Sequence, residues 1–219
     1  MSAPLTHEST TSSTEQVTRG HKKKARTRQA LVDAALRIYA REGAGSLALS
    51  QLAEEANVSQ GTIYNYFRTR EEVLEAVGIA LADQLSQNVS ILSTGINSGA
   101  QRMSIGVRMF VQRALADLEW AKAIIQVIHF DKGIRSAVAA NVRYDLHMGL
   151  KEGSFSFNDE EVALALVVSC AIGAINSIAE GLGVVDHDIK LAEMVLKALG
   201  MNLVEASRIA HLPLPFGKD

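Results

Sequence analysis

The chain has 219 residues, 47% of them hydrophobic, and a net charge of −2. That length holds one sizeable core, or a small domain joined to a larger one, and the apolar content excludes a disordered protein. A single cysteine, Cys170, excludes an intrachain disulfide and fits a reducing, cytoplasmic setting. The prolines, Pro4, Pro213 and Pro215, stand near the ends, so nothing breaks long helices between 5 and 212. Strict polar–apolar alternation is scarce, and Ala, Leu and Glu are plentiful. The expected fold class is all-α.

Charge is unevenly spread. Residues 1–70 carry ten Lys or Arg against six Asp or Glu, whereas residues 71–219 carry twelve against eighteen. A basic front and an acidic rear imply that one end meets phosphate and the other does not.

Residues 1–20, rich in Ser, Thr and charge, read as a disordered tail with no secretory signal. A basic run follows, with Lys22, Lys23, Lys24, Arg26 and Arg28 leading into a first helix that ends near Glu42. Leu31, Ala34, Ala35, Ile38 and Tyr39 are its apolar stripe, and Gly43 and Gly45 stop it. A second helix is expected from about Leu47 to Ala56 with Ser46 as N-cap. Asn57 takes the turn, because asparagine tolerates the left-handed conformation. Ser59 then caps a short third helix reaching Tyr66. The sequence Thr69-Arg70-Glu71-Glu72 reads as a capping box that opens a fourth. Further helices are expected at 70–93, 98–117, 119–130, 133–151, 159–182 and 187–211.

The stretch 53–67 has the steric signature of a helix-turn-helix. Small Ala53 lies where the two helices touch, Asn57 makes the turn, and Ile63 buries the second helix. Leu52, Ala56 and Val58 fill the seam, and Phe67 packs behind it. Ser59, Gln60 and Thr62 occupy the N-terminus of the third helix, where such a helix meets base edges. Glutamine can bond adenine through two hydrogen bonds, and threonine offers a hydroxyl or a methyl. Gly61 removes a side chain where backbone would approach phosphate. The hydroxyls of Tyr64 and Tyr66, the guanidinium of Arg70 and the run from Lys22 to Arg28 suit phosphate oxygens or a minor groove.

These residues resemble the tetracycline-repressor family of bacterial regulators. The resemblance lies in the aliphatic–alanine pair Leu52-Ala53, then Val58-Ser59, Gly61-Thr62, Tyr64 and Phe67, and a basic residue before the fourth helix. With the preceding helix it covers about 26–75. A fainter echo stands at Glu152-Gly153-Ser154-Phe155. The resemblance implies DNA contacts from Ser50, Gln60, Gly61, Thr62, Tyr64, Asn65, Tyr66 and Arg70. Three positions depart from the family pattern: Asn57 where glycine is common, Arg70 for lysine, and Leu47-Ala48-Leu49 for a threonine-rich start. The implied organisation is a tail at 1–20, a three-helix DNA-binding domain at 21–70, and a larger helical effector-binding and dimerisation domain at 71–219. The implied partners are a double-stranded operator and a small effector; the few charges in the middle helices point to an apolar or amphipathic one. The implied action is that of a repressor; no residue distinguishes it from an activator.

In the rear, Ala165, Ser169, Gly173, Ser177 and Gly181 recur every fourth residue, a small-residue stripe that lets another helix approach closely. With Val195, Leu199 and Leu203 of the last helix it is expected to form a four-helix homodimer interface, with packing inside one chain as the alternative. Met103, Phe110, Trp120, Ile124, Ile128, Tyr144, His147 and Met148 are the candidate ligand-binding residues, although an apolar stripe is more often core than pocket. Trp120, beside Glu119, reads as a surface or rim residue. The run 162–179 carries no charge, yet Glu161 and Glu180 flank it, which favours a buried core helix over a membrane span. There is no His-Glu-x-x-His, Gly-rich phosphate loop or cysteine cluster, so no catalytic residue, metal or cofactor is expected. Tyr144, His147 and His129 lack a carboxylate at ligand spacing. The competing function is a small-molecule carrier or enzyme with a vestigial DNA-binding domain.

Overall fold

A computed structural model describes residues 12–43, 47–128 and 134–215, the side chains of 12–19, 126–128 and 134–137 excepted. Among the described residues all regular structure is helical, in ten helices. The chain divides into two compact units, Met1–Arg70 and Glu71–Asp219.

The first unit contains α1 (Ser12–Glu42), α2 (Leu49–Glu55) and α3 (Gln60–Tyr64). Helix α1 starts at Ser12, so the stretch 12–20, expected as tail, continues the helix. Its apolar stripe is buried: Leu31, Ala34, Ala35 and Ile38 are at most 1% exposed. Gly43, at φ 75°, ends it in the left-handed conformation that a residue without a Cβ adopts at no steric cost. Helix α2 begins at Leu49, two residues later than expected, and its N-cap Ala48 makes no side-chain bond. Ser46, the expected cap, lies outside the described residues. Leu47 is instead a core residue, 1% exposed. Asn57 has φ 52°, the left-handed geometry expected of the turn.

The second unit is built from α4 (Arg70–Leu92), which begins on the last residue of the first unit, followed by α5 (Gly99–Ala116), α6 (Leu118–Ile128), α7 (Ile134–Lys151), α8 (Glu160–Ala179), α9 (His187–Ala198) and α10 (Leu203–Ala210). Helix α5 is central and packs on α7, α8 and α9. A Cβ on Gly99 would overlap the backbone nitrogen of Gly149, so α5 and α7 meet backbone to backbone. The single long helix expected at 187–211 is two. Gly200 adopts φ 98°, and its Cβ would come within 2.6 Å of the Ser156 carbonyl oxygen. Asn202 restarts the chain as α10, its side chain accepting from the Glu205 N–H.

Helix α8 is, among the described residues, the one helix long and apolar enough to cross a membrane. It opens on Glu160 and Glu161, capped by Asp159, and buries Ala163, Leu164, Val167, Ala174, Ile175 and Ile178. The expectation of a helix buried all round is corrected, because Val162, Ala165, Ser169 and Gly173 face out.

Candidate DNA-binding surface and ligand cavity

Two polar links set α2 and α3. Glu55 of α2 takes Arg37 Nε at 2.7 Å and Arg41 Nη1 at 2.9 Å, both from α1. The Arg37 and then the Arg41 hydrogen bonds hold its carboxyl below the usual carboxylate range. Ser59 Oγ accepts the Thr62 N–H at 3.2 Å and lies 3.0 Å from Thr62 Oγ1, which fixes the first turn of α3. Ile63, fully buried, and Phe67, 1% exposed, anchor α3 and the turn after it from below. The Arg28 guanidinium lies 5.4 Å from the Phe67 ring centroid.

The opposite face of α3 is open. Ser50, Ser59, Gln60, Gly61 and Asn65 are exposed, Tyr64 is 56% exposed, and Thr62 and Tyr66 are half-buried. Lys22, Lys23, Lys24 and Arg26 are exposed along α1. Arg70 differs from its expectation as a phosphate clamp. Half-buried, it donates from Nε to the Leu47 carbonyl at 2.7 Å, closing the uncapped entrance to α2. Gly61 is notable for what it does not touch. A Cβ there would meet only Ser59 Oγ at 3.8 Å, and its φ is not positive. Nothing among the described residues requires glycine there, although a helical glycine costs about 1 kcal/mol against alanine.

The second unit holds a cavity with about 840 Å³ of atom-free space, its open mouth included. Its walls come from five helices: Ala82, Ser86 and Val89 of α4; Met103, Gly106, Val107 and Phe110 of α5; Ile124 of α6; Val138, Asn141, Val142 and Asp145 of α7; and Val167, Val168, Ala171, Ile172 and Ile175 of α8. Asn141 Nδ2 donates to Ser86 Oγ at 2.6 Å and faces the Ser86 carbonyl at 3.4 Å. Asp145, 6% exposed, pairs with Arg102 Nε at 2.6 Å, and Arg102 Nη1 donates to the Ser93 carbonyl at 2.8 Å. Burial raises the Asp145 pKa, and the Arg102 hydrogen bond and charge oppose that shift.

Of the residues expected around a ligand, Met103, Phe110 and Ile124 share this cavity. Trp120 is no rim residue. It is 2% exposed, 6.1 Å from the Phe110 ring centroid, and outside the cavity wall. Tyr144 and His147 are corrected too. The α7 face toward the cavity is 138, 141, 142 and 145, at helical spacing, which turns Tyr144 and His147 outward. Tyr144 lies under the Arg102 guanidinium, 5.1 Å from the ring centroid, and His147 Nε2 meets Glu160 Oε2 at 2.6 Å. Met148 is half-buried and off the wall; the side chain of Ile128 lies outside those described. The reading of α7 favoured its aromatic residues and missed Asn141 and Asp145. Their signal was two polar residues one turn apart, among valines at 138 and 142.

The expected interface residues also separate. Ala165, Ser169, Gly173 and Gly181 are exposed and Ser177 is half-buried. Leu203 is 60% exposed, but Val195 and Leu199 are each 1% exposed. Those two belong to the unit's own core.

The model of the tetR family of bacterial regulatory proteins matches residues 31–77, and that of the tetracyclin repressor-like C-terminal domain matches residues 99–212. The chain belongs to the tetR family. It is a DNA-binding transcriptional regulator. The tetR chain is 27% identical over 142 residues to the nicotine-responsive transcriptional repressor HdnoR of Paenarthrobacter nicotinovorans, spanning 65% of this chain and 68% of that one. Over 68 residues it is 40% identical to the regulator LuxR of Vibrio harveyi, covering 29% of this chain and 33% of that one. Among solved structures, RolR in complex with resorcinol superposes with a TM-score of 0.77 at 27% identity, covering 90% of this chain and 98% of RolR. FadR from Bacillus subtilis, at 16% identity, TM-score 0.54 and coverage of 78% and 96%, shares the fold.

Proposed function

We propose that the chain is a homodimeric repressor that binds a pseudo-palindromic operator in the cytoplasm and leaves it when a small, mostly apolar effector enters the cavity. One observation carries this reading: α4 starts at Arg70, directly after the α3 turn, and its residues Ala82, Ser86 and Val89 line the cavity. An occupant that shifts α4 acts on the segment joined to the recognition helix. HdnoR is nicotine-responsive and RolR binds resorcinol; small ring compounds of that kind suit a cavity with mainly aliphatic walls.

In the proposed complex, two copies of α3 enter successive major grooves roughly 34–36 Å apart. Gln60 and Thr62 read base edges, while Ser50, Ser59, Tyr64, Asn65, Tyr66 and the Lys22–Arg26 run hold phosphates. Gly61 lets the backbone approach the duplex, which gives a glycine without an internal reason an external one. The dimer forms through the outward face of α8, at Val162, Ala165, Ser169 and Gly173, with exposed Met194 of α9 and Leu203 and Val204 of α10 beside it. An exposed face of small and apolar side chains suits a second copy.

Selection from a random duplex pool, followed by anisotropy titration, tests the reading. A palindrome is enriched; failure to enrich one favours the carrier or enzyme with a vestigial DNA-binding domain. Two substitutions divide the surface. Gln60→Ala relaxes base preference at one position of each half-site, by about 1–3 kcal/mol. Lys23→Ala weakens all sequences alike and lowers the salt slope by about 1. Equal effects of both on every duplex contradict these roles. Gly61→Ala leaves thermal stability unchanged or raises it, since its Cβ makes only an ordinary contact with Ser59 Oγ, yet reduces operator affinity; a stability loss measured by thermal melting would contradict the assignment.

A further inference from the structure

The cavity's polar side chains lie together, Ser86 of α4 against Asn141 and Asp145 of α7. Asn141 and Asp145 are four residues apart on α7, so their side chains are neighbours on one helix face. The Asn141 amide nitrogen donates to the Ser86 hydroxyl and carbonyl, which leaves Oδ1 as the amide's acceptor. Asp145 Oδ1 is used by Arg102, leaving Oδ2. No described residue donates to either free oxygen. An acceptor in a mostly apolar cavity gains from a donor that a ligand supplies. The other walls are aliphatic or, at Phe110, aromatic.

We infer that this cavity selects a small, uncharged, mainly apolar ring compound with two hydroxyl donors, one to Asn141 Oδ1 and one to Asp145 Oδ2. The inference rests on the effector reading above and specifies its ligand class. Each charge class is disfavoured for its own reason. An anion meets Asp145 and the Asn141 oxygen. A cation finds the Asp145 charge already balanced by Arg102 and must lose its water among valines. A wholly apolar ring fits the walls but leaves both acceptors unpaired. Arg102 acts as a positioning residue: it holds Asp145 by Oδ1 and is itself tied to the Ser93 carbonyl beyond the end of α4.

The test is calorimetric titration of the full chain with five probes of similar size: resorcinol, phenol, toluene, benzoate and benzylamine. Fluorescence of Trp120, the sole tryptophan and a neighbour of Phe110, gives a second readout. Resorcinol binds about tenfold tighter than phenol, and phenol about tenfold tighter than toluene, one hydrogen bond at each step. Benzoate and benzylamine bind more weakly than phenol. In Asp145→Asn, which keeps the shape but exchanges an acceptor for a donor, the resorcinol advantage over toluene falls at least tenfold. The probe series on the unaltered chain decides the matter even if that variant does not fold. Toluene equal to resorcinol, a charged probe binding tightest, or no probe binding at all overturns the ligand class. Operator release is scored separately by anisotropy. A chain that takes up resorcinol in this order but stays on DNA supports the ligand class and overturns the release model alone.

Discussion

Phe67→Ala abolishes operator binding while leaving ligand uptake intact. The ring is 1% exposed at the end of the α3 turn, and its backbone N–H is bonded to the Ile63 carbonyl at 2.8 Å. Truncating a buried phenylalanine costs about 3–5 kcal/mol. Whole domains are stable by only about 5–15 kcal/mol, and a small three-helix unit stands near the lower end. The loss therefore takes most of the first unit's stability. Arg28 also loses the ring beneath its guanidinium. Operator affinity falls at least about a hundredfold, the equivalent of ~2.7 kcal/mol. Hydrogen exchange in 31–67 accelerates, whereas calorimetric titration of the second unit is unchanged, because the cavity residues all lie in 82–175. Preserved exchange protection together with preserved operator affinity would show that Phe67 is not an anchor. The contrast with Gln60→Ala is informative: that exposed side chain changes which duplex is bound without changing how firmly α3 is seated.

Particular residues show why the DNA-binding half was the easier one to read. Asn57 must adopt positive φ, Ser59 must cap, and Ile63 must be buried, and each requirement acts over a few residues. Local rules of that kind are visible in a string of letters. The entrance to α2 was not, because it is completed from a distance: the donor to Leu47 comes from Arg70, 23 positions on. The break at Gly200 was missed for a similar reason. A lone glycine in a helical pattern is tolerated, and only the Ser156 backbone, pressed against it, rules out a side chain there. The cavity depended still more on packing. Helical period alone places Val138, Asn141, Val142 and Asp145 on one side of α7, but nothing in α7 says which side faces α4 and α8. Aromatic content pointed to Tyr144, and the structure turns it outward.

Gly173→Trp converts the dimer to a monomer. The alternative expectation for the small-residue stripe was packing inside one chain, and this substitution separates the two. A Cβ on Gly173 would meet nothing within 4 Å, so a side chain starts there in open space. In the middle of α8 it also gains a few tenths of a kcal/mol in helix propensity over glycine. A stripe that served internal packing would answer with a lower melting temperature and unchanged sedimentation. A stripe that seats a second copy answers with halved mass, an unaltered or raised melting temperature for the monomer, and operator affinity lowered by about a hundredfold or more, since each half-site must then be bound alone. Val195→Ala is the complementary control. That side chain is 1% exposed in the core shared by α5, α8 and α9, so it lowers stability by about 1–3 kcal/mol without acting at the α8 surface. Sedimentation and melting of the two variants assign each residue to its side of the helix. An unchanged sedimentation profile for Gly173→Trp would remove α8 from the interface and leave its exposed face, Val162 to Gly173, to another partner.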